Sequence, residues 1–511
     1  MPSQRVWRRV KIILGVAIIL FASAFLLTYS AYPSPHNLVP SSSSTTGETT
    51  STSDQQEDPD VAKKKAVFIQ QASEWQIDGP YNNTALTKLC AKQKWVTGLQ
   101  FKCAAAYGGI GNIRNIVLTC VRFAIEAGAT TILIPEIIVR GTDLIHLTDG
   151  EHVPFTYMFD LDVFKSRLTT ACPKIRLVSN EANLAEFPSP IIRNLTPRKL
   201  GTEFKVGRVI DFLPAWRGAF DTWVKDFAAP TGFGASKPLL IHLQPTFFEY
   251  PILHDEPEFI ATFGRILEFR KDVRRLAAVV TYALDKKYKL ELNPGAAGVP
   301  APNKYYGAHL RTDVDALAAN FASYREQSSA YLKGAKEHNL HFIYLASGSK
   351  NDIKRFTRDA KAIDIKVTTK NALLGGKEYA AELEEMKKLT WDQQALVDFA
   401  LLSRSSHFGG TWASSFAYNI AFQRHVAVEN GTWTSSMTAL AQRRDKHVTA
   451  AKGTLSDKER LVGRDNGVTT EFASGKDDPR RLLKGEDYKD AVSTIYGPPL
   501  MGVWFELSMW P

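Results

Sequence analysis

Short apolar segments alternate with longer amphipathic ones along most of this chain, and that alternation limits the fold more than any other feature. Strand candidates at residues 131–135 (TILIP) and 175–178 flank a helical pattern at 115–127. A Gly/Pro-rich passage over residues 228–251 encloses one buried-looking strand, 239–243. Beyond it come strand candidates at 305–310, 342–346 and 365–368, with helical patterns at 320–332 and 393–402. This order predicts two successive α/β halves, each around a parallel sheet, joined at a cleft with the junction in the Gly/Pro-rich passage. No internal repeat is present.

The N-terminus has a different character. Arg5, Arg8, Arg9 and Lys11 precede residues 12–29 (IILGVAIILFASAFLLTY), which carry no charge. At about 1.5 Å per residue such a helix crosses most of a bilayer core. The competing reading is a cleaved signal peptide, since Ala22-Ser23-Ala24 mimics a cleavage site. The run exceeds the usual apolar core of about 7–15 residues, which favours an anchor. The basic flank places the N-terminus in the cytosol and the body across the membrane. No Phe, Trp or Tyr occurs between Tyr32 and Phe68, and SSSSTTGETTSTSDQQEDPD is too polar to bury anything. The expected layout is a cytosolic tail (1–11), a transmembrane anchor (12–29), a disordered stem (30–65), an N-terminal α/β domain (66–245) and a C-terminal α/β domain with tail (246–511).

The four cysteines, Cys90, Cys103, Cys120 and Cys172, allow up to two disulfides in a lumenal compartment, with three pairings open. Their spacing does not suit a structural zinc site. Sequons at Asn82, Asn194 and Asn430 are compatible with the secretory route. The formal charge of +10 suits an anionic small ligand, but no basic stripe interleaved with aromatics points to nucleic acid. The closing YGPPLMGVWFELSMWP is expected to pin the tail onto the body through its aromatics.

Three stretches carry chemistry. In YGGIGNIRN (residues 107–115) a glycine turn runs into a helix, so Gly109 and Gly111 could let backbone approach a ligand at a helix N-terminus. A glycine turn needed only for tight packing explains the same string. In GAHLRTDVD (307–315) an apolar strand ends in Arg311, placed to fork onto a diphosphate; the plainer account is an Arg–Asp ion pair closing the strand. In DFALLSRSSHFGGTWASSF (398–416) a helix and a short strand lead to a Gly/Ser turn, where Ser414, Ser415 and Phe416 open another helix that could seat a phosphate.

Together and in this order the three stretches resemble the GDP-fucose protein O-fucosyltransferase family. That family shows a glycine turn with Asn, an HLR with Asp four residues after the Arg, and a D…HFxG…SSF block. FDLDVFKSRL (159–168) and YPILHDEPEF (250–259) extend the match to roughly residues 108–424. The resemblance implies a GT-B fold, two Rossmann-like domains facing a cleft, with acceptor on the N-terminal side and nucleotide sugar on the C-terminal side. It implies that Arg311 binds the donor phosphates and supports leaving-group departure, and that Asp315 matches the family Asp. It further implies that Asp398 contacts guanine, that Ser415 and Phe416 hold the nucleotide, and that Asn112 sits at the acceptor side. His309 would be a secondary donor-site residue; a buried, hydrogen-bonded histidine is the plainer reading.

Two departures bear on acceptor choice: Ala316 replaces an aromatic of one branch, and GGIGN carries no Arg beside Asn112. The expectation is therefore an inverting fucosyltransferase moving fucose from GDP-fucose to a hydroxyl, on a protein Ser/Thr, in the Golgi or endoplasmic reticulum as a type II membrane protein. The alternatives are a transferase with a glycan acceptor or another GDP-sugar, and a non-catalytic tethered sugar binder. Asp160-Leu161-Asp162 and Asp313-Val314-Asp315 are DxD strings of the kind that hold metal elsewhere. The resemblance implies transfer without metal or other cofactor, with Arg in its place.

Overall fold

A computed structural model describes residues 59–141, 144, 147–184, 189–200, 213–296, 302–319, 321–429, 431–434, 486–497 and 501–511. The expected anchor (12–29), most of the expected stem and the sequon at Asn430 lie outside them. Among the described residues no helix is long and apolar enough to cross a membrane. The described residues form one compact unit.

The strands in chain order are β1 (Val96–Cys103), β2 (Ala129–Leu133), β3 (Ile137–Ile138), β4 (His152–Val153), β5 (Arg176–Val178), β6 (Ile191–Leu195) and β7 (Leu239–Leu243), then β8 (Tyr306–His309), β9 (Phe342–Ala346), β10 (Lys366–Thr368), β11 (His407–Thr411), β12 (Glu486–Lys489) and β13 (Ser493–Tyr496). The first sheet is parallel in the order β5-β2-β1-β7-β6, with β3 and β4 pairing separately. The second runs β10-β9-β8-β11-β13-β12, parallel except for the final antiparallel pair. In each sheet the chain starts at the centre, winds outward and returns to the other side, leaving switch points between β1 and β7 and between β8 and β11.

The helices that position the site are α1 (Pro59–Glu74), α2 (Ile110–Ala127), α3 (Lys271–Tyr288), α4 (Trp391–Ser403), α5 (Ser415–Val428) and α6 (Met501–Ser508). α2 is buried on nearly every face, Arg114, Asn115 and Arg122 included. It lies on β1 and β2 and also meets α5. The helical pattern expected at 320–332 appears as Tyr324–Glu337, started by a capping box between Ser323 and Glu326.

Three boundaries differ from the sequence reading. The stretch expected to remain stem to residue 65 is helical from Pro59. α1 packs on α3, with Phe68 edge-on to Tyr282 at 5.4 Å, and the Ala72 carbonyl accepts from Arg404 at 2.7 Å. These few apolar contacts sit among lysines, which hid the helix. The first half also continues past residue 246. Tyr250 meets Phe123 of α2 at 5.2 Å, and Asp255 forms a buried ion pair with Arg122 at 2.6 Å. Finally, the C-terminal residues return to the first half: Arg114 donates to the main-chain oxygens of Trp510 and Pro511, and Asn115 to that of Ser508. The tail aromatics do pin it, Phe505 against Phe248 and Tyr418, Trp510 against Tyr250 and Phe263.

Of the three open cysteine pairings the structure has Cys90–Cys172 and Cys103–Cys120. The second ties the end of β1 to the middle of α2, bracing the turn between them.

Removing one partner of a buried ion pair leaves the other desolvated, at a cost of roughly 3–5 kcal/mol. Arg122→Met should lower the denaturant midpoint accordingly, and Asp255→Leu added to it should restore a large part of the loss. An unchanged midpoint in the single variant would show that the pair does not anchor residues 250–263.

Candidate active site

The two switch points face one another. The turn after β1 and Phe247-Phe248 after β7 form one wall of a cleft of about 710 Å³, and the ends of β8 and β11 form the other. That volume suits a sizeable small molecule. Gly109, Asn112, His309, Arg311, Asp315, Asp398, Ser414, Ser415 and Phe416 all line it, so most of the residues singled out from sequence converge.

Gly111 does not line the cleft; it serves packing. A Cβ there would lie 2.5 Å from the Ser415 carbonyl carbon and oxygen and 2.7 Å from the Phe416 nitrogen. The starts of α2 and α5 cross at this contact, and the Ser415 hydroxyl donates to Asn112 Oδ1 at 2.5 Å. Gly108 has φ +87°, a left-handed value that favours glycine, and a Cβ on it would meet the Asn112 amide at 2.8 Å. The packing and ligand-approach readings of the turn thus divide between positions: Gly108 and Gly111 shape the chain, while Gly109 and Asn112 face the cleft. Opposite, Ser414 caps α5, its hydroxyl accepting from the Ala417 amide at 3.3 Å. Before it Ala413 is held at φ +62°, a strained conformation for a residue with a Cβ.

Charge concentrates at the end of β8. The Arg311 guanidinium pairs with both Asp313 and Asp315. Asp315 is shared with Arg140, whose Nη1 lies 2.8 Å from it, and Asp392 stands 3.6 Å from Arg140 Nε. Both guanidinium carbons lie over the Trp391 ring, 5.1 Å away for Arg140 and 5.2 Å for Arg311. Burial raises the pKa values of Asp313 and Asp392 despite the neighbouring arginines. The ion-pair reading of RTDVD therefore holds, and the same residues line the cleft where a ligand would meet them. Asp398 has both oxygens engaged, one by the Tyr344 hydroxyl at 2.7 Å and one by Lys370. Asp160 of the first DxD string caps helix Leu161–Ala171 and pairs with Arg274. No group of three or more metal-type side chains occurs among the described residues.

His309 is buried, its ring 4.4 Å from Phe416, and its pKa is pushed down to about 3 by burial and then by the Arg311 charge. His407 in β11 is likewise held at about 3, by burial first and then by His338 and Arg424.

Arg140, Trp391, Asp392 and Lys370 also line the cleft, and sequence reasoning missed them. A signal existed for Trp391 and Asp392: Thr390 and Gln393 form a capping box that starts α4 two residues before the expected helix. Arg140 follows a two-residue strand and carries no local signal. A smaller cavity of about 140 Å³ is ringed by Arg114, Arg167, Arg265 and Arg404. Its arginines bond Asp78, Glu268 and main-chain oxygens.

Two largely parallel sheets whose strand ends face one cleft define an α/β protein of two doubly wound halves. A sequence model described as GDP-fucose protein O-fucosyltransferase matches residues 101–427, well over half of the chain, and the chain belongs to that family. Among solved structures, POFUT1 in complex with GDP is 13% identical, with 65% of this chain and 96% of that chain covered at a TM-score of 0.38. POFUT1 in complex with GDP-fucose gives 13%, 64%, 95% and 0.38 on the same measures. An Arabidopsis thaliana FUT1 variant in complex with GDP gives 11%, 72%, 78% and 0.33. No curated protein matches significantly.

Two predictions test this geometry. Gly111→Ala should force the starts of α2 and α5 apart, costing about 1–3 kcal/mol; a melting temperature equal to the unmodified chain's would refute the contact. The second concerns acid. A histidine whose folded pKa lies below its unfolded value of about 6.5 contributes stability that is complete above pH 6.5. That contribution is lost as pH falls toward 3, because the unfolded chain takes protons the folded one refuses. Between pH 7.5 and 5 each such histidine should cost about 2 kcal/mol. Urea titrations at both pH values should show that gap narrowing by about this amount in His407→Gln; an identical gap would mean His407 is protonated in the fold.

Proposed function

We propose that this protein is an inverting fucosyltransferase that moves fucose from GDP-fucose to a hydroxyl group, a protein Ser or Thr, inside the Golgi or endoplasmic reticulum, tethered by residues 12–29. The observation that carries the reading is Arg311 at the carboxyl end of β8, in the cleft lined by the starts of α2 and α5. Family membership supplies the donor class. The pairing of all four cysteines supports an oxidising compartment, as do the exposed sequon residues Asn82 and Asn194.

The donor's diphosphate would lie between Arg311 and the helix start at Ser414 and Ser415, where unpaired N–H groups and a positive dipole favour anions. Guanine, which offers N–H donors, would be read by Asp398, exchanging part of its present bonding to Tyr344 and Lys370. As the sugar C1–O bond lengthens, charge grows on the departing diphosphate, and Arg311 holds that charge better in the transition state than in the ground state. Among the described lining residues the first half brings Asn112 and Arg140 but no carboxylate. This supports an oxocarbenium-like departure over proton abstraction by a dedicated base. The acceptor oxygen then attacks C1 from the opposite face, and its proton leaves to a phosphate oxygen or water. Arg311, Arg140, Lys350 and Lys370 supply cationic charge without a metal.

Release of GDP by the full-length chain tests the proposal, with GDP-fucose offered beside GDP-mannose and UDP-sugars, with and without EDTA. Release selective for GDP-fucose and resistant to EDTA is expected, falling about 10²–10³-fold in Arg311→Ala. EDTA-sensitive use of a UDP-sugar would overturn donor and mechanism together. No release with any donor, in the presence of hydroxyl acceptors, would leave a sugar binder as the better reading.

A further inference from the structure

Arg140 differs from the other buried arginines of this protein. Arg122 spends Nε, Nη1 and Nη2 on Asp255 and Glu126, and Arg424 spends its three nitrogens on Ser493 and a ring of carbonyls. The Arg140 side chain is also largely buried, 6% exposed, yet among the described residues its Nε has no hydrogen-bond acceptor. Asp392 at 3.6 Å is an ion-pair partner, beyond hydrogen-bond reach. A buried donor left without an acceptor costs on the order of 1–3 kcal/mol, and this one lines the cleft.

The surroundings explain how the side chain gets there. Gly109 has no side chain, and Arg140 Nη2 lies 3.3 Å from where its Cβ would be. The turn that lacks an arginine of its own thus makes room for one arriving from beyond β3. Arg140 then reaches across to the second half, where it shares Asp315 with Arg311 and both lie over one indole ring. Two guanidiniums gathered around one carboxylate form a place where a doubly charged anion can substitute for that carboxylate, with an N–H already waiting.

We propose that Arg140 is a second binding residue for the diphosphate of the nucleotide sugar, contributed by the first half and held beside the site by Asp315. This rests on the reading of the cleft as a GDP-sugar site. When the diphosphate enters, Arg140 exchanges its Asp315 contact for phosphate oxygen, and Nε gains the acceptor it lacks. The donor then bridges both halves, which fixes C1 where an acceptor oxygen can meet it.

Binding of GDP and of GMP to the full-length chain, measured by calorimetry for the unmodified protein, Arg140→Gln and Arg140→Lys, decides the matter. One charge-assisted hydrogen bond is worth about tenfold or more in affinity. Arg140→Gln is therefore expected to weaken GDP about tenfold more than GMP, with Arg140→Lys between, because the residue touches the phosphate that GMP lacks. A purely structural arginine would weaken GDP and GMP by the same factor or leave both unchanged, and either result overturns the inference. If Arg140→Gln does not fold, the GDP to GMP ratio in Arg140→Lys decides in the same way. Failure of the unmodified protein to bind GDP would instead sink the GDP-sugar reading, which separates the two.

Discussion

The start of α2 rests on the start of α5 at a distance that only a hydrogen on Gly111 permits. α2 follows the central strand of the first sheet and α5 follows β11 of the second, so this contact sets the carboxyl ends of both sheets against each other. Without it each switch point would remain a shallow crevice on its own sheet. With it, two helix N-termini, two strand-end loops and the arginines beside them share one cleft, and the Asn112–Ser415 hydrogen bond crosses its floor. The disulfide from β1 to α2 braces one flanking turn, and the strained backbone at Ala413 and Phe248 marks where the surroundings hold the others. Backbone strain of that kind persists where the surroundings over-determine it.

The two halves are also tied by exchanged ends. α1, from the beginning of the described chain, packs on α3 and takes a bond from Arg404. The C-terminal residues lie against α2 through Arg114 and Asn115. Each half therefore has part of its surface covered by chain from the far end of the sequence, and a cut at residue 246 would expose Arg122, Asp255 and the Trp510 site together. Such reciprocal cover limits the halves to small relative movements around the Gly111 contact. That suits a cleft in which a bound anion, rather than a large rigid-body swing, completes the charge arrangement.

How much of this could be read beforehand depended on whether the signal was local. β7 and β9 were legible because their apolar residues run over five positions, broken only by His242 in β7. β1, the centre of the first sheet, was not, because Thr97, Gly98, Gln100 and Lys102 interrupt it. Gly98 is there because Gly234 passes 2.2 Å from where its Cβ would be, and Lys102 is there to pair with Glu181. At the site, His309, Arg311, Asp313 and Asp315 fall within seven residues and announced themselves. Arg140 lies 175 positions from the aspartate it shares, so nothing in its neighbours reveals it. The glycine turn gave two readings from one string because steric need and ligand approach select the same residue, and only the position of α5 separates them.

The wall opposite Arg311 decides which chemistry such a cleft can support. A carboxylate there would draw the acceptor proton early and favour concerted displacement. The described wall instead presents an amide, an arginine and the rings of Phe247 and Phe248. An amide can orient a hydroxyl but accepts a proton poorly. A cation on the acceptor side disfavours early positive charge on the sugar unless a diphosphate is already there to neutralise it. The proposed role of Arg140 reconciles the two: the diphosphate would enter first, both guanidiniums would turn to it, and the remaining apolar and amide surface would receive the hydroxyl.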